Sequence, residues 1–511
     1  MLDTFAQQAM NYIALLIMVI VVIALITIAV LYVIDSTQNT QAIRRNYPVI
    51  GRFRYFFEHL GEFFRQYFFA MDREEMPFNR AMRTWVYKAA KNIDLTIAFG
   101  STRNLRVTGE PLFLNSAFPT LDEDATESGS LTIGPDCKTP YHAPSFFNIS
   151  GMSYGALSRV AIQALSHGAK KAGCWVNTGE GGLSPYHLEG GCDIVFQIGT
   201  AKYGVRDSNG NLSHTKLKEL AAIEQVKMFE LKLSQGAKPG KGGILPAEKV
   251  NTEIASIRGI PVGEASISPN RHKDVANNEQ LLELIAAIRE TTGKPVGFKA
   301  VMGDPAWLEE LCRLITVKGN AYAPDFISVD CAEGGTGAAP QPLMDYVGLP
   351  IRESLPLLVD TLKEFGLRDR IKVIASGKLV NPGAVAVAMA TGADFAVSAR
   401  GFMFALGCIQ ALQCNKNTCP TGITTHDKKL QKGLDPTVKS ERVANYHYHL
   451  VKSVETIAHS CGVRSARMLE REHVRLVTEN GFSRPLSLIH PEKVVFVEPP
   501  KKHTNKSKET L

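Results

Sequence analysis

The hydrophobic positions of this chain follow two different patterns. Residues 12–34 form one continuous apolar stretch without a charged residue, and about 20 apolar residues suffice to cross a bilayer as a helix. From residue 146 onward, short apolar runs rich in β-branched residues alternate with longer stretches of helical character. The first pattern predicts a membrane-spanning helix, and the second predicts a succession of strands and helices.

The charges around the apolar stretch predict its orientation. Only Asp3 precedes it, whereas Arg44, Arg45, Arg52 and Arg54 follow it. A secretory signal, the alternative, would have a basic start and a shorter apolar core, so we expect a retained single-span anchor. Positively charged flanks stay in the cytoplasm, and the rest of the chain after the apolar stretch is therefore expected on the cytoplasmic side.

The next segment, residues 44–69, interleaves arginines with many Phe and Tyr residues. This composition suits the lipid headgroup layer, where rings and guanidinium groups each find a favourable depth. The alternative is a helix that buries its Phe residues on the soluble domain, and both can hold. Residues 70–145 form a Pro-containing lead-in without a recognisable motif.

The strand and helix pattern favours a closed (β/α)8 barrel, the TIM-barrel fold. Strands buried on both faces read as continuous apolar runs, and such runs are FFNIS, CDIVFQIG, PVGFKAVM, FISVD, IKVIAS and DFAVSA, with a further strand before NTGEGG. Helices are predicted at Leu157–Ala172, Leu281–Thr291, Ala306–Val317, Leu355–Glu364 and Pro382–Ala390. About eight such units fit a barrel better than an open doubly wound sheet, which is the alternative.

Composition adds two constraints. A hydrophobic content of 45% and a charged content of 21% are ordinary for a globular protein. The net charge of +7 is modest, and nucleic acid is not expected as a partner, because the basic residues cluster only in the C-terminal tail at Lys501, Lys502, Lys506 and Lys508. Irregular spacing indicates free thiols of a reducing compartment for Cys137, Cys174, Cys192, Cys312, Cys331 and Cys461.

Glycine-rich loops follow the predicted strands, where barrel active sites lie. They are GMSYGALS, NTGEGG, QIGTAKYG, EGGTGAAP, SGK and ARG. Glycine lets a backbone approach a ligand closely, so six such loops on one rim indicate a bound cofactor. The loops after the last two strands usually seat a phosphate group, and they contain Gly377, Lys378, Arg400 and Gly401.

Lys299 lies inside the predicted strand VGFKAV, where a buried cation needs an anionic partner or a function. A bound flavin supplies a function, because positive charge near its N1 and O2 atoms stabilises the anionic reduced ring. The structural alternative is an ion pair with Asp330 or Glu333.

Cys408, Cys414 and Cys419 form a C-x5-C-x4-C-P motif. Three thiolates on one short loop suit an iron–sulfur cluster in which one iron lacks a protein ligand. Zinc would need a fourth ligand, which His426 could supply, and its Cys spacing is usually shorter. A disulfide framework would need pairing partners and an oxidising compartment.

Six long segments resemble the FMN-binding synthase domain of glutamate synthase, in the order GMSYGALS, NTGEGG, QGAKPGKGGILPAEKV, SISPNRHKD, EGGTGAAP and GCIQALQCNKNTCPTGITT. The resemblance covers residues 146–426. It implies a (β/α)8 barrel that binds FMN and a [3Fe–4S] cluster held by Cys408, Cys414 and Cys419. In that family, reduced flavin delivers a hydride to 2-iminoglutarate, made from 2-oxoglutarate and ammonia, which gives L-glutamate.

The resemblance also implies residue roles. Lys202 and Lys238 are expected to bind the substrate carboxylates, and Glu180 is expected to serve the imine nitrogen or a proton. A structural role for Glu180, capping a helix or bonding loop amides, is its alternative. The expected FMN-binding residues are Ser153, Asn177, Gln197, Lys299, Gly334, Gly335, Gly377, Lys378, Arg400 and Gly401.

Three positions depart from the family pattern. Lys202 stands in AKYGV where GRFGV is common, Lys241 stands in KPGKGG instead of KPGEGG, and Ala332 stands in AEGGTG instead of HDGGTG. Arg and Lys are not equivalent carboxylate ligands. The substrate is therefore expected to be an anionic keto or imino acid that can differ from 2-oxoglutarate.

The chain shows no glutaminase module and no NAD(P)H-binding fingerprint. We therefore expect an outside source of ammonia and an external electron donor, which can be ferredoxin, a reductase subunit or, as the anchor favours, the membrane quinone pool. The predicted organisation is a transmembrane anchor with lipid contacts, a juxtamembrane and lead-in region, the barrel with its Fe–S loop, and a C-terminal helical region with a polar tail, over residues 1–35, 36–145, 146–426 and 427–511.

Two alternative functions use the same fold. One is an FMN-dependent dehydrogenase of 2-hydroxy or amino acids that feeds membrane electron carriers. It would need a His base, and no obvious site motif contains His142, His167, His187 or His272. The other is a non-catalytic electron-transfer partner that has lost its substrate pocket.

Overall fold

The computed structural model describes residues 2–491, and the predicted basic tail with Lys501, Lys502, Lys506 and Lys508 lies outside them. The chain forms two compact units, Met1–Ala81 and Met82–Leu511.

The first unit is built on one long helix, Leu2–Thr37. Its segment Phe5–Thr37 is long and apolar enough to cross a membrane, because a helix of this length extends about 50 Å and the hydrocarbon layer is about 30 Å thick. Two shorter helices and a π-helical turn follow it, at Ala42–Asn46, Gly51–Phe64 and Arg65–Phe69.

The second unit contains a closed barrel of eight parallel strands. In chain order they are β1 (Phe147–Ile149), β2 (Val176–Asn177), β3 (Ile194–Ile198), β4 (Val226–Lys232), β5 (Val296–Val301), β6 (Phe326–Asp330), β7 (Lys372–Ser376) and β8 (Phe395–Ser398). The last strand pairs with the first, with Val397 opposite Asn148. This pairing confirms the predicted (β/α)8 barrel and excludes the open sheet.

The five predicted helices are confirmed, with ends shifted by a few residues. Asparagine and serine caps begin several of them: Ser158 Oγ accepts from Ala161 N, and Asn277 Oδ1 accepts from Gln280 N. The helices that follow residue 158 are Arg159–Ala172, Pro185–Leu188, His214–Ala222, Thr252–Arg258, Asn278–Thr292, Pro305–Lys318, Gln341–Tyr346, Ile351–Glu364, Pro382–Thr391, Arg400–Leu406, Lys428–Gln431, Pro436–Ser460 and Leu486–Ile489.

A small hairpin closes the N-terminal mouth of the barrel. Its strands, Leu131–Ile133 and Tyr141–Ala143, pair in antiparallel fashion. Tyr141 packs edge-on to Trp175, and its hydroxyl donates to Asp193 at 3.0 Å. The hairpin joins a buried cluster of strand residues, so the floor of the barrel is filled with side chains: Ile133, Tyr141, Ala143, Trp175, Val195, Met228, Phe326, Ile374, Phe395 and Val397.

The segments that precede and follow the barrel in sequence pair with each other outside it. Strand Pro111–Phe113, from the lead-in, pairs with Val474–Val477, which also pairs with Ser483–Pro485. The long helix Pro436–Ser460 packs against Arg159–Ala172. A further two-stranded pair, Ile244–Leu245 with Ser266–Ile267, lies in the segment between β4 and β5.

Gly168 lies at a close contact between the helices Arg159–Ala172 and Pro436–Ser460. A Cβ atom there would lie 2.5 Å from the Val443 side chain and 2.8 Å from the Ser440 carbonyl oxygen. Although Ala is ordinarily the better helix former, we expect Gly168→Ala to lower the free energy of unfolding by about 1–3 kcal/mol, as overpacking does. Gly383→Ala is the matched control, because its Cβ would meet only Asn381 Oδ1 at 3.6 Å. Thermal unfolding of the detergent-solubilised chain measures both, and equal melting temperatures would contradict the prediction.

Candidate functional site

A small cavity lies inside the barrel, above the packed floor. All eight strands, or residues directly beside them, contribute to it: Ser150, Trp175, Asn177, Val195, Met228, Glu230, Lys299, Ser328, Ile374, Ser376 and Val397. Its lower wall is apolar and its upper wall is polar. The carboxyl ends of the strands therefore hold a pre-formed site, as is usual for this fold.

Glu230, on β4, organises the polar wall. Its Oε1 atom accepts from Asn177 Nδ2 at 2.8 Å and from Gln197 Nε2 at 2.7 Å. Its Oε2 atom accepts from Ser328 Oγ at 2.5 Å. Because a carboxylate only accepts hydrogen bonds, it fixes which way both side-chain amides face. Asn177 and Gln197, predicted to bind the cofactor, are thus held by a residue that the sequence analysis did not identify.

Lys299, on β5, is buried next to this network. Its Nζ atom lies 3.1 Å from Asp330 Oδ2, so the ion pair considered as an alternative is present. Burial by itself would lower the pKa of Lys299, but Asp330 and Glu230 outweigh it and the pKa is raised. A permanent positive charge therefore lines the cavity.

A second group of charges lies around Glu180, in the turn Gly179–Gly181 after β2. Lys232 Nζ is 2.8 Å from Glu180 Oε1. Burial by itself would raise the pKa of Glu180, but Lys232, Lys238 and Arg258 lower it. Glu180 is therefore a carboxylate surrounded by cations. Its side chain also fills the space beside Gly243 and Gly199, where any Cβ would strike it.

The two predicted substrate lysines differ in their partners. Lys238 is buried, and its Nζ atom donates to the Ala338 carbonyl at 3.1 Å. Burial, together with the charge of Lys232, lowers the pKa of Lys238 to about 8. Lys202 instead forms an ion pair with Asp274 at 2.8 Å. Lys238 thus belongs to the group around Glu180, whereas Lys202 is held by a carboxylate.

Arg258 and His272 complete this region, and the sequence analysis missed both. The Arg258 guanidinium is buried and donates to Ser266 Oγ at 3.2 Å and to the Tyr154 carbonyl at 3.3 Å, while its Nε has no hydrogen-bond partner among residues 2–491. His272 is buried and its Nε2 donates to the Lys232 carbonyl at 3.1 Å. Burial lowers the pKa of His272 to about 4, so it is neutral. Ser153, which was predicted to bind the cofactor, also lies here, and its Oγ accepts from Arg258 at 3.5 Å.

The loops after β6, β7 and β8 bring the remaining predicted residues together. A Cβ on Gly335 would lie 2.8 Å from Arg400 Nε, and one on Gly377 would collide with Cys331 Sγ. Burial and the charge of Arg400 both lower the pKa of Lys378. Lys378 and Arg400 are thus neighbouring cations on a rim of tightly packed glycines, which include Gly334 and Gly401. Two positive charges this close are suited to binding an anion.

Cys408, Cys414 and Cys419 are free thiols on the loop that follows helix Arg400–Leu406. Burial raises the pKa of Cys408 to about 12, whereas hydrogen bonds with Thr421 and Thr424 outweigh burial and lower the pKa of Cys419. Across the described part of the chain, no three His, Cys, Asp or Glu side chains are arranged to hold a single metal ion. His426, the candidate zinc ligand, directs Nε2 at the Gly155 carbonyl, 2.8 Å away.

The backbone of this thiol loop is unusual. Gln410, Leu412 and Asn417 all have positive φ angles, of 60°, 55° and 56°. Non-glycine residues seldom adopt this conformation, and they concentrate at functional sites. The buried Lys249 stabilises this loop, because its Nζ donates to the Cys414 carbonyl at 2.8 Å.

Sequence comparison shows which known proteins this chain is similar to. Residues 112–464 match the conserved region of glutamate synthase. The glutamate synthase large subunit-like protein YerD of Bacillus subtilis is 40% identical over 490 residues, which cover 88% of this chain and 93% of that protein. The archaeal-type glutamate synthase [NADPH] of Thermotoga maritima is 34% identical over 374 residues, 72% of this chain and 69% of that protein.

Solved structures align more weakly. Mandelate oxidase with 3,3-difluoro-2-hydroxy-3-phenylpropionic acid gives a TM-score of 0.42 at 15% identity, covering 78% of this chain and 90% of that one. A flavocytochrome b2 mutant with pyruvate bound gives 0.43 at 13% identity, covering 89% and 92%. The barrel is established by its own strand pairing and does not depend on these alignments.

Glu230 provides a direct test of the network in the cavity. Glu230→Leu would leave the donors of Asn177, Gln197 and Ser328 buried and without an acceptor, and we expect it to lower the free energy of unfolding by about 3 kcal/mol or more. Glu230→Gln keeps one acceptor oxygen and is expected to lose less than half of that. Urea denaturation of the full chain in detergent compares them. If the two variants are equally stable, the network does not hold the site together.

Proposed function

The chain belongs to the glutamate synthase family, and we propose that it is a membrane-anchored oxidoreductase that uses FMN and a [3Fe–4S] cluster to form L-glutamate from 2-oxoglutarate and ammonia. One observation carries the proposal: the anionic Glu180 lies among Lys232, Lys238 and Arg258 at the rim of a cavity lined by Lys299. The net reaction takes up two electrons and two protons per 2-oxoglutarate and ammonia, and releases one water.

The residues of the barrel fit an FMN. Positions 335 and 377 must be glycine, because a Cβ at Gly335 would strike Arg400 and one at Gly377 would strike Cys331. Lys378 and Arg400 would supply positive charge for the phosphate group. Lys299 would compensate negative charge on the ring, and Asn177 and Gln197 would offer it side-chain amides whose orientation is fixed by Glu230. When bound, the flavin supplies the hydride and the cluster supplies single electrons.

The charges around Glu180 support a dianionic keto or imino acid as the substrate. Lys238 and Arg258 are the proposed ligands of its carboxylates. The Nε atom of Arg258, which has no acceptor among the described residues, is available to donate to one of them. Lys202 would join them by exchanging Asp274 for a substrate carboxylate. The carboxylate of Glu180 favours a protonated imine, the form that accepts a hydride, because opposite charges attract more strongly in a buried site.

The three thiols fit an iron–sulfur cluster by donor type, since Cys is its usual ligand. A cluster of three irons spans a wider gap than a single ion, and the strained loop from Cys408 to Cys419 presents all three sulfurs on one short segment. Ammonia and electrons are proposed to come from outside the chain, and helix Phe5–Thr37 is proposed to hold the barrel on the cytoplasmic face of a membrane.

Reconstitution tests the function directly. Full-length protein, loaded with FMN, iron and sulfide and supplied with reduced methyl viologen, is expected to form glutamate only when both 2-oxoglutarate and ammonia are present. Two viologen radicals should be consumed per glutamate. Bound FMN and cluster without turnover over a broad screen of donors would refute the assigned reaction.

The same material tests the cluster ligands. Cys414→Ser is expected to lose most of the bound iron and sulfide and to retain FMN. Cys461→Ser, a buried thiol outside the loop, is the matched control and should keep both. Equal iron content in the two variants would remove the cluster from the proposal.

Substrate binding is expected to depend on pH through Lys238, whose pKa is lowered to about 8. Lys238 loses its positive charge as the pH rises through this value, so the dissociation constant for 2-oxoglutarate should increase above pH 8. Flavin absorbance changes on titration measure it between pH 6.5 and pH 9.5. Lys238→Gln should bind weakly at every pH, with a flatter profile. An unchanged pH dependence in Lys238→Gln would exclude Lys238 as a ligand.

A second candidate, oxidation of a 2-hydroxy acid, is favoured by one observation. His272 is buried and neutral beside the lysines, and its Nδ1 has no hydrogen-bond partner within the described residues, which suits a base. Anaerobic mixing of the FMN-loaded protein with 2-hydroxy acids decides between the two. Bleaching of the flavin that disappears in His272→Gln would favour this candidate, and an unchanged spectrum would reject it.

A further inference from the structure

The helix Gly51–Phe64 carries an aromatic face that the other described residues of its own unit leave exposed. Its apolar side chains recur three and four residues apart and occupy an arc of about 120° at 100° per residue. Phe53, Phe56, Phe57 and Phe63 are 58%, 57%, 61% and 56% exposed. We define the aromatic face as Phe53, Phe56, Phe57, Leu60, Phe63 and Phe64. An exposed apolar surface of this kind marks a binding surface.

The start of this helix is fastened to the end of the long apolar helix. Asp35, fully buried, forms ion pairs with Arg44 at 2.7 Å and with Arg52 at 2.8 Å. Its Oδ2 atom also accepts from Val49 N at 3.0 Å. Gly51 packs on the backbone of Ile43, where a Cβ would lie 2.8 Å from the carbonyl oxygen. The aromatic face therefore begins at the level where the apolar helix ends.

The opposite side of the helix is polar but nearly balanced in charge. Arg54 lies on it with Glu58 and Glu62, and His59 is on the same side. A surface helix that depended on anionic lipids would carry a row of basic residues on this side. Burial of its aromatic rings is therefore what would attract this helix to a bilayer. Its charged residues would determine only how deeply the helix inserts.

We propose that Gly51–Phe64 lies in the plane of the bilayer and inserts its aromatic face into the boundary between headgroups and acyl chains. This inference rests on the proposed membrane anchor and adds a second attachment beside it. Continuity with the apolar helix selects lipid as the occupant, because the aromatic face starts where the bilayer surface would be. The attachment is expected to be independent of anionic lipid.

Tryptophan placed on either side of the helix tests the proposal. Full-length Phe57→Trp and Glu62→Trp variants are reconstituted into phosphatidylcholine vesicles whose acyl chains are brominated near the headgroup. The signal of wild type, with its 3 Trp residues, is subtracted. We expect bromine to reduce the added fluorescence of Phe57→Trp at least twofold and to leave that of Glu62→Trp nearly unchanged. Phe53→Trp repeats the measurement on the aromatic face, and 30% phosphatidylglycerol should not alter the result.

Flotation after carbonate washing separates the possible failures. Protein that floats but shows no quenching in Phe57→Trp and Phe53→Trp overturns this inference alone and leaves the anchor intact. Shielding of those residues from acrylamide would then identify protein, for example a second copy, as the occupant. Protein that does not float overturns the anchor and this inference together. Quenching that requires phosphatidylglycerol overturns the attachment through aromatic burial.

Discussion

Pairing of the eighth strand with the first is the constraint on which the rest of the structure depends. Because all eight strands are parallel, closure brings every carboxyl end to one rim and every amino end to the other. Asn177, Glu230, Lys299 and Asp330 are distant in sequence, yet all four lie in the carboxyl-terminal halves of their strands, on the same side of the barrel. Polar groups concentrated in this way must satisfy one another or bind a ligand, since an isolated buried charge is costly.

The balance of charge differs along that rim. Inside the barrel, Lys299 is matched by Asp330 and Glu230. Around Glu180 the cations outnumber the carboxylate, and the loops after β7 and β8 place Lys378 and Arg400 close together. These two groups of cations suit two anionic groups, one at each. The dicarboxylate and the cofactor phosphate that we propose meet this requirement without further residues.

The sequence predicted the architecture well because buried parallel strands have a plain signature. Six continuous apolar runs each became a barrel strand, and the strand expected before NTGEGG became β2. The exception was β4, Val226–Lys232, whose sequence VKMFELK interrupts the apolar run with charges. Two of those charges belong to the candidate site, since Glu230 holds Asn177 and Gln197, and Lys232 pairs with Glu180.

Other parts of the site could not be deduced from one sequence. Arg258 ends a short helix with no distinctive motif, and it approaches Glu180 only through the folding of the segment between β4 and β5. The pairing of Lys202 with Asp274 depends in the same way on two loops that lie 72 positions apart. The local sequence pattern identifies the charged residues, whereas tertiary packing determines which of them come into contact.

The packed floor of the barrel also determines the order in which ligands can enter and leave the cavity. With Tyr141 and Trp175 packed in the lower opening, a small molecule would enter through the opposite rim of the barrel, and this entrance passes the charges around Glu180. A ligand of the inner cavity must bind before a molecule that occupies this entrance, and it cannot leave until that molecule has left. Turnover can therefore exchange the outer occupant many times while the inner one stays in place.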